Sequence, residues 1–175
     1  MITNIENCTL VDTEIILDLY TKARERQKEY NAVLWPEFQQ SLVEQEICEN
    51  RQWKIVENGD IACVWAITFS DPEIWEEKNN EPSVYIHRIA TNPAYRGKNY
   101  VQQIVSWAKD FAKQLGKKFI RMDTVGNNTK LIEYYQSNGF LFLGMVELKN
   151  TAGLPEHYTK DQTALFEINI DKSGN

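Results

Sequence analysis

The sequence lacks the usual signatures of secretion, membrane insertion and disulfide-stapled folds. Residues 1–6 show no basic stretch followed by an apolar run, and the longest apolar stretch, 61–69, falls far short of the roughly 20 residues that a membrane span needs. Three cysteines, Cys8, Cys48 and Cys63, are odd in number, and no two stand at metal-ligand spacing. We expect reduced, buried thiols, with zinc or a disulfide framework as the alternative. We also expect no metal site, no membrane partner and a cytoplasmic location.

Two common phosphate-binding motifs are also absent. No Gly-Lys-Ser/Thr occurs, which excludes a P-loop, and Gly97 has no partner glycines at the spacing of a dinucleotide fingerprint. The net charge of −6 argues against a nucleic-acid partner.

The composition is that of a folded domain with an uneven distribution of charge. Hydrophobic residues make up 42% of the 175 residues and charged residues 25%, which predicts one domain over 1–175 with a sizeable core. Residues 1–83 carry 17 acids and 7 bases, whereas residues 84–175 carry 8 acids and 12 bases. This split indicates one half that attracts a cation and another that tolerates anions; two ordinarily solvated faces are the alternative.

Hydrophobic periodicity and turn residues predict an alternation of strands and helices. Predicted strands cover 5–10, 53–57, 61–69, 84–90, 118–124, 140–148 and 163–170. Predicted helices cover 13–30, 36–49 (opened by Pro36), 96–115 and 128–138, and 71–82 is expected to be a polar loop. The turn Asn58-Gly59-Asp60 predicts a hairpin. This order indicates the α/β class (an α+β mixed sheet) with helices on both faces.

Two segments carry the functional signal. Tyr95-Arg96-Gly97-Lys98-Asn99-Tyr100-Val101 lies between a predicted strand and a long amphipathic helix, where an α/β protein exposes backbone N–H groups at a positive helix end. About forty residues later come Asn128 and the run Tyr134-Tyr135-Gln136-Ser137-Asn138-Gly139-Phe140. These segments resemble the GNAT superfamily of acyl-CoA-dependent N-acetyltransferases, most strongly over residues 84–145, the expected cofactor-binding core.

The resemblance implies a GNAT-like acyl-CoA N-acyltransferase fold, with a central, mostly antiparallel, twisted sheet, and acetyl-CoA as cofactor. Asn99 and Val101 stand where the family has Gly and Gly or Ala; Asn tolerates left-handed φ, and Val101 either narrows the approach to the pyrophosphate or packs inward. The implied cofactor-binding residues are Ile89, Ala90, Arg96, Gly97, Lys98, Asn99, Tyr100, Val101, Asn128 and Tyr135. Backbone groups at 89–90 would hold the pantetheine arm, Arg96 and Lys98 would add charge at the pyrophosphate, and Asn128 would bond the pantetheine or cap its helix.

The resemblance also implies catalytic roles. Tyr135 matches the family tyrosine that faces the sulfur, and it would protonate the leaving thiolate; aromatic packing is the alternative role. His87 is the expected base because it lies two residues before Ile89 in the same strand and has an unperturbed pKa near 6.5. A structural role for His87 stays open, with Glu73 and Asp123 as competing bases.

The expected acceptor is a small-molecule amine, for which Trp35, Phe38, Trp75 and His157 are candidate binding residues. Aromatic side chains beside carboxylates suit a cationic amine; core packing is the alternative. The first helix also offers a surface for a homodimer. The sequence therefore predicts an N-acetyltransferase that acts by direct attack in a ternary complex. A non-catalytic acyl-CoA sensor, a peptide or protein N-acetyltransferase, and an α/β interaction module without a cofactor are the alternatives.

Overall fold

A computed structural model describes residues 3–171. Within them, seven strands form one sheet in the order β1-β2-β3-β4-β5-β7-β6. The strands are β1 (Thr3–Asn7), β2 (Gln52–Glu57), β3 (Asp60–Thr68), β4 (Ser83–Thr91), β5 (Phe119–Val125), β6 (Leu141–Val146) and β7 (Thr163–Asn169). β1 with β2, β2 with β3, β5 with β7 and β6 with β7 pair antiparallel, whereas β4 pairs with β5 in parallel, so the predicted mixed sheet is confirmed.

Five α-helices and several 3-10 turns accompany the sheet in the described part of the chain. The helices are α1 (Thr13–Glu29), α2 (Gln40–Cys48), α3 (Pro72–Trp75), α4 (Tyr100–Gln114) and α5 (Thr129–Ser137). The 3-10 turns are Leu10–Asp12, Glu76–Asn80, Pro93–Tyr95 and Glu156–Thr159. None of the helices in residues 3–171 combines the length and the apolar character needed to cross a membrane.

The chain divides into two compact units, and β4 contributes to both. The first unit holds the chain up to Ile67 together with His87–Tyr100, and the second holds Thr68–Ile86 together with the chain from Val101 onward. The single domain over 1–175 stays a prediction, and its ends, 1–2 and 172–175, lie outside the described residues.

The first unit buries an apolar face of α1 against α2 and the hairpin of β2 and β3. Its core residues are Cys8, Ile16, Leu19, Tyr20, Val43, Ile47, Ile61, Val64 and Ala90. The predicted hairpin is confirmed, because Asn58 and Gly59 adopt φ of 54° and 90°, the left-handed pair that a tight hairpin turn requires.

The second unit is built on β5 paired with β7, and β7 with β6. Ile74, Trp75, Tyr85 and Leu165 form one core cluster, joined by half-buried side chains from β6 and the segments after it. Arg121 on β5 is fully buried: its guanidinium is paired with Glu81 and, at 2.8 Å, with Glu167. The helix predicted over residues 128–138 is confirmed as α5, and Gly139, just after its end, has φ 95°.

Several predicted element boundaries were wrong. The first strand ends at Asn7 rather than at residue 10, because a 3-10 turn begins at Leu10. Pro36 does not open α2, which starts at Gln40. Trp35 is held by α1 instead, since Gln27 Oε1 accepts from its backbone N–H at 2.8 Å and Arg24 Nε donates to its carbonyl at 2.9 Å.

Three further expectations need correction. The polar loop 71–82 contains the short helix α3 and the 3-10 turn that follows it. Helix α4 begins at Tyr100, four residues later than predicted, because Gly97 and Asn99 both adopt left-handed φ. Cys8 and Cys63 are buried free thiols as expected, but Cys48, the last residue of α2, is exposed.

Candidate functional site

The segment between β4 and α4 has the backbone conformation of an anion-binding loop. After the 3-10 turn, Arg96 is extended (φ −63°, ψ 156°), and Gly97 and Asn99 adopt φ of 82° and 48°. Asn99 therefore adopts the left-handed φ that asparagine tolerates better than most residues. Because α4 starts at Tyr100, its first N–H groups have no acceptor within the helix, and the positive helix end favours an anion.

The two basic side chains of this loop, Arg96 and Lys98, differ in their contacts. Arg96 is exposed, whereas Lys98 donates through Nζ to the carboxylate of Glu57 and lies 4.9 Å from the centroid of the Tyr95 ring. The hydrogen bond from Lys98, followed by that from Tyr100, lowers the pKa of Glu57. Lys98 is thus already neutralised by a carboxylate.

The second residue of α4, Val101, is only 6% exposed. Of the two alternatives drawn from the sequence, inward packing therefore applies to this side chain. The Val101 side chain packs in the core, so it does not project into the solvent at the start of α4.

Strand β4 is distorted where the sequence places the expected base and the pantetheine contacts. Arg88 has φ of 53°, a conformation that interrupts a strand and is typical of a bulge. It lies between His87 and Ile89; Ile89 is half-buried, and Ala90 is 1% exposed. Burial, and then the nearby Arg88 and Arg51 cations, lower the pKa of His87 to about 3. His87 is therefore a neutral imidazole at physiological pH and a weak base.

The predicted acceptor aromatics Trp35 and Phe38 lie in the first unit, half-buried against Tyr20. The Tyr20 ring is 6.0 Å from that of Trp35 and 5.1 Å from that of Phe38. The Arg88 guanidinium lies 5.0 Å from the Phe38 centroid, and it donates to both carboxylate oxygens of Glu46 at 2.5 and 2.6 Å. An internal cation therefore already uses the Phe38 face and this buried carboxylate.

In the second unit, Tyr135 on α5 is 8% exposed and belongs to an aromatic cluster. Its ring lies 5.2 Å from that of Phe166 and 6.0 Å from that of Phe140. Asn128 stands at the N-cap of α5, where its side-chain oxygen accepts from the backbone N–H of Leu131 at 3.1 Å. Of the two roles considered for Asn128, helix capping is the one the structure displays.

The other predicted acceptor residues of the second unit differ in exposure. Trp75 is 2% exposed, 5.8 Å from the ring of Tyr85 and 4.9 Å from the Arg121 guanidinium, so packing dominates at this residue. His157 is half-buried, and burial lowers its pKa to about 4. A surface depression of about 360 Å³ is lined by Pro72, Glu73, Glu76, Lys149 and Asn150.

Two carboxylates in the second unit have raised pKa values. Asp123, at the end of β5, accepts a 2.8 Å hydrogen bond from the Tyr158 hydroxyl, and burial raises its pKa to about 6. Asp71 is 8% exposed, with a carboxylate oxygen within 4.8 Å of one from Asp123. Burial, and then the charges of Asp123 and Glu73, raise the pKa of Asp71 to about 8.

The sequence thus predicts Asp123 as a competing base but does not identify Asp71 or Glu57 as site residues. A signal for Glu57 was present, since Glu57 lies two residues after the buried Ile55 and so falls on the same face of β2. Asp71 precedes Pro72 in a polar stretch, where nothing in the local pattern predicts burial.

The predicted site residues are divided between the units. The first contains His87, Ile89, Ala90, the loop up to Tyr100, Trp35 and Phe38; the second contains Val101, Asn128, Tyr135, Trp75 and His157.

Comparison with known proteins agrees with the resemblance drawn from the loop before α4 and from the Tyr135 segment of α5. The sequence model of the acetyltransferase (GNAT) family matches residues 14–140. The uncharacterized N-acetyltransferase YesJ of Bacillus subtilis (strain 168) is 28% identical over 74 residues, which are 42% of this chain. The match spans only 41% of that relative's length.

Solved structures resemble the whole chain in fold. A GNAT-family acetyltransferase from Listeria monocytogenes 4b F2365 aligns with a TM-score of 0.76 at 22% identity, over 95% of this chain and 94% of that one. The structure of yncA from Salmonella typhimurium with its cofactor acetyl-CoA aligns with a TM-score of 0.68 at 15% identity, over 99% and 96%. The predicted GNAT-like fold is confirmed, and the chain belongs to the acetyltransferase (GNAT) family.

Proposed function

We propose that this protein transfers the acetyl group of acetyl-CoA to the primary amine of a small, cationic acceptor, by direct attack in a ternary complex. It would be an acyltransferase of groups other than amino-acyl groups. A cytoplasmic location and a homodimer belong to the same proposal.

The observation that carries the proposal is the loop before α4. Left-handed backbone at Gly97 and Asn99, followed directly by a helix N-terminus, suits the diphosphate of coenzyme A. The loop amides from Arg96 to Val101 would bind this diphosphate, with Arg96 supplying exposed charge. The bulge at Arg88 supports a role for the backbone of Ile89 and Ala90 in holding the pantetheine arm.

Bound acetyl-CoA supplies an activated acetyl group as a thioester. The acceptor nitrogen forms a bond to the carbonyl carbon as the carbon–sulfur bond breaks. In our proposal, Tyr135 donates its phenolic proton to the departing sulfur, and a second group takes the proton released by the amine. The aromatic packing around Tyr135 would fix its ring in place.

Two residues compete for the role of base. His87 was the first choice from sequence, but its lowered pKa weakens it as a proton acceptor. The pKa of Asp123, raised to about 6, is nearer the value that suits a base at neutral pH. We propose Asp123 as the stronger candidate. The profile of kcat against pH for Asp123→Asn and for His87→Ala decides between them, because only loss of the true base removes its acidic limb.

A direct test of cofactor binding is thermal unfolding with and without coenzyme A. A ligand at 100 times its Kd adds about 2.7 kcal/mol to the free energy of unfolding. We therefore expect the Tm to rise with coenzyme A concentration; no rise at millimolar coenzyme A would contradict the proposal.

Turnover separates an enzyme from an acyl-CoA sensor. A bulky Val101 that narrowed the approach to the pyrophosphate would have favoured the sensor, but this side chain is buried and gives the sensor no support. We expect thiol release from acetyl-CoA in a panel of amines that contains polyamines, amino acids and a peptide. Coenzyme binding without turnover on any of these amines would favour the sensor.

The role of Tyr135 has its own test. Tyr135→Phe keeps the ring and its packing, so the Tm should change little, while kcat should fall about 10²-fold or more because the proton donor is lost. Tyr134→Phe, one residue away and more exposed, is the matched control. Wild-type turnover in Tyr135→Phe would rule out its role as acid.

A further inference from the structure

The loop between β4 and α4 is fastened to the hairpin of β2 and β3 at several points. The Asn92 backbone N–H donates to the Ala62 carbonyl at 2.8 Å, and its side-chain amide donates to the Ile61 carbonyl at 3.1 Å. Three residues later, the Tyr95 hydroxyl donates to Asp60 Oδ2 at 2.6 Å. The hairpin therefore supports the loop along its length.

The last attachment point is a buried carboxylate. The Glu57 side chain is 3% exposed, and each of its oxygens accepts a different hydrogen bond. Lys98 Nζ donates to one oxygen, and the Tyr100 hydroxyl donates to the other at 2.5 Å. Because Lys98 and Tyr100 flank Asn99, the two bonds fix the chain on both sides of the left-handed residue.

We propose that Glu57 is the positioning residue of the pyrophosphate-binding loop. It touches neither cofactor nor acceptor; it acts by holding Lys98 and Tyr100, and so it fixes the backbone N–H groups between them before the cofactor arrives. This inference rests on the proposed function, because it presumes that the loop binds the diphosphate of coenzyme A.

A consequence concerns the charge that the diphosphate meets. The Lys98 ammonium is already paired with Glu57, so preformed amides and the exposed Arg96 would carry the binding. Pre-organised donors bind better than flexible ones because less conformational entropy is lost on association. In this role Lys98 supports the loop more than it contacts the ligand.

The test is calorimetric titration of the full chain with coenzyme A, which needs no acceptor. Glu57→Ala should raise the Kd about tenfold or more, since two hydrogen bonds to a charged group are lost. Glu57→Gln keeps one acceptor oxygen and should be intermediate. Asp12→Asn is the matched control: it removes the negative charge from another buried carboxylate–lysine pair, that of Asp12 with Lys54 of β2 at 2.8 Å.

The outcomes are distinct. Wild-type protein that does not bind coenzyme A contradicts the proposed function itself. Wild-type binding together with an unchanged Kd in Glu57→Ala overturns the positioning role. An equal weakening in Asp12→Asn at a matched loss of Tm also overturns it, since the effect would then be one of general stability.

A second set of variants applies if Glu57→Ala does not fold. Tyr100→Phe removes one hydroxyl and Lys98→Met one ammonium, and each should raise the Kd about threefold. In the double variant Glu57→Gln/Tyr100→Phe, the loss of binding free energy should not exceed the sum of the two single losses, because both changes remove the same contact. Full wild-type affinity in both single variants would refute the proposal.

Discussion

At the scale of single residues, the chain places asparagine where related loops use glycine. Among residues 3–171, the non-glycine residues with positive φ include four asparagines: Asn31, Asn50, Asn58 and Asn99. An asparagine side chain reduces the penalty of this conformation, which costs about 1–2 kcal/mol for most L-residues. Asn99 in place of the family's glycine is thus compatible with a left-handed backbone conformation at this position.

The conformation of Asn99 leads to a prediction. Asn99→Gly should keep both the Tm and the Kd for coenzyme A, whereas Asn99→Val should raise the Kd because a β-branched residue resists positive φ. Asn31→Val, at φ 50° after α1, is the control. It should lower the Tm comparably and leave the Kd unchanged. Tight coenzyme binding by Asn99→Val would mean that the loop tolerates another conformation.

The three thiols differ in reactivity for a physical reason. Burial raises the pKa of Cys8 and of Cys63 to about 12, so neither forms a reactive thiolate at neutral pH. Cys48 is exposed. We expect one thiol per chain to react with a disulfide reagent in native protein, and none in Cys48→Ser. Fast reaction of a second thiol would show that the core around Cys8 or Cys63 becomes accessible to the reagent. The Cys48→Ser variant also suits assays of thiol release, because it lacks the exposed thiol.

At the scale of elements, β5 is held by an ion-pair network centred on the fully buried Arg121. Arg121 Nε donates to Glu167 Oε2 at 2.9 Å, and its guanidinium also reaches the Lys78 carbonyl at 2.6 Å. Removing one partner of a buried pair leaves the other charge uncompensated. The strand therefore depends on this side chain far more than on a surface pair.

We expect Arg121→Ala to lower the free energy of unfolding by about 3–5 kcal/mol. The matched control is Lys149→Ala in the same unit, which breaks an exposed pair with Glu76 and should cost at most about 1 kcal/mol. Denaturant unfolding followed by circular dichroism measures both. Equal losses in the two variants would contradict the assignment of a stabilising role to burial.

Elements with strong periodicity were predictable from sequence, and those set by tertiary contacts were not. The core of α4 and the Asn58-Gly59 turn follow from local rules. The start of α2 does not, since side chains of α1 hold Trp35 in an irregular segment. In the candidate site, the loop and Tyr135 were found through motifs, whereas the partner of Lys98 lies 41 residues away and leaves no local signal.

At the scale of the whole molecule, one buried carboxyl should shape stability as a function of pH. Asp71 ionises near 3.8 in the unfolded chain and near 8 in the folded one. Between these values the folded state binds more protons, so the contribution of Asp71 to stability is complete below pH 3.8 and is lost as the pH rises through 8.

Asp71→Asn removes this dependence. Relative to wild type, the variant should gain roughly 3–4 kcal/mol in the free energy of unfolding between pH 5 and pH 9. Urea unfolding at the two pH values measures the change. Asp18→Asn, at an exposed side chain on α1, should show no such gain. A constant difference between wild type and Asp71→Asn would mean that Asp71 is ionised at both pH values.

The fastening of the loop to the hairpin also yields a diagnostic pattern for genome surveys. The pattern has two parts. The first is an Asn-Gly turn with glutamate directly before it and aspartate directly after it. The second, further along the chain, is an Arg-Gly-Lys-Asn tetrapeptide with a tyrosine on each side. Homologues that keep asparagine at the glycine position should keep these acidic and phenolic partners, whereas homologues with glycine there should be free to lose them.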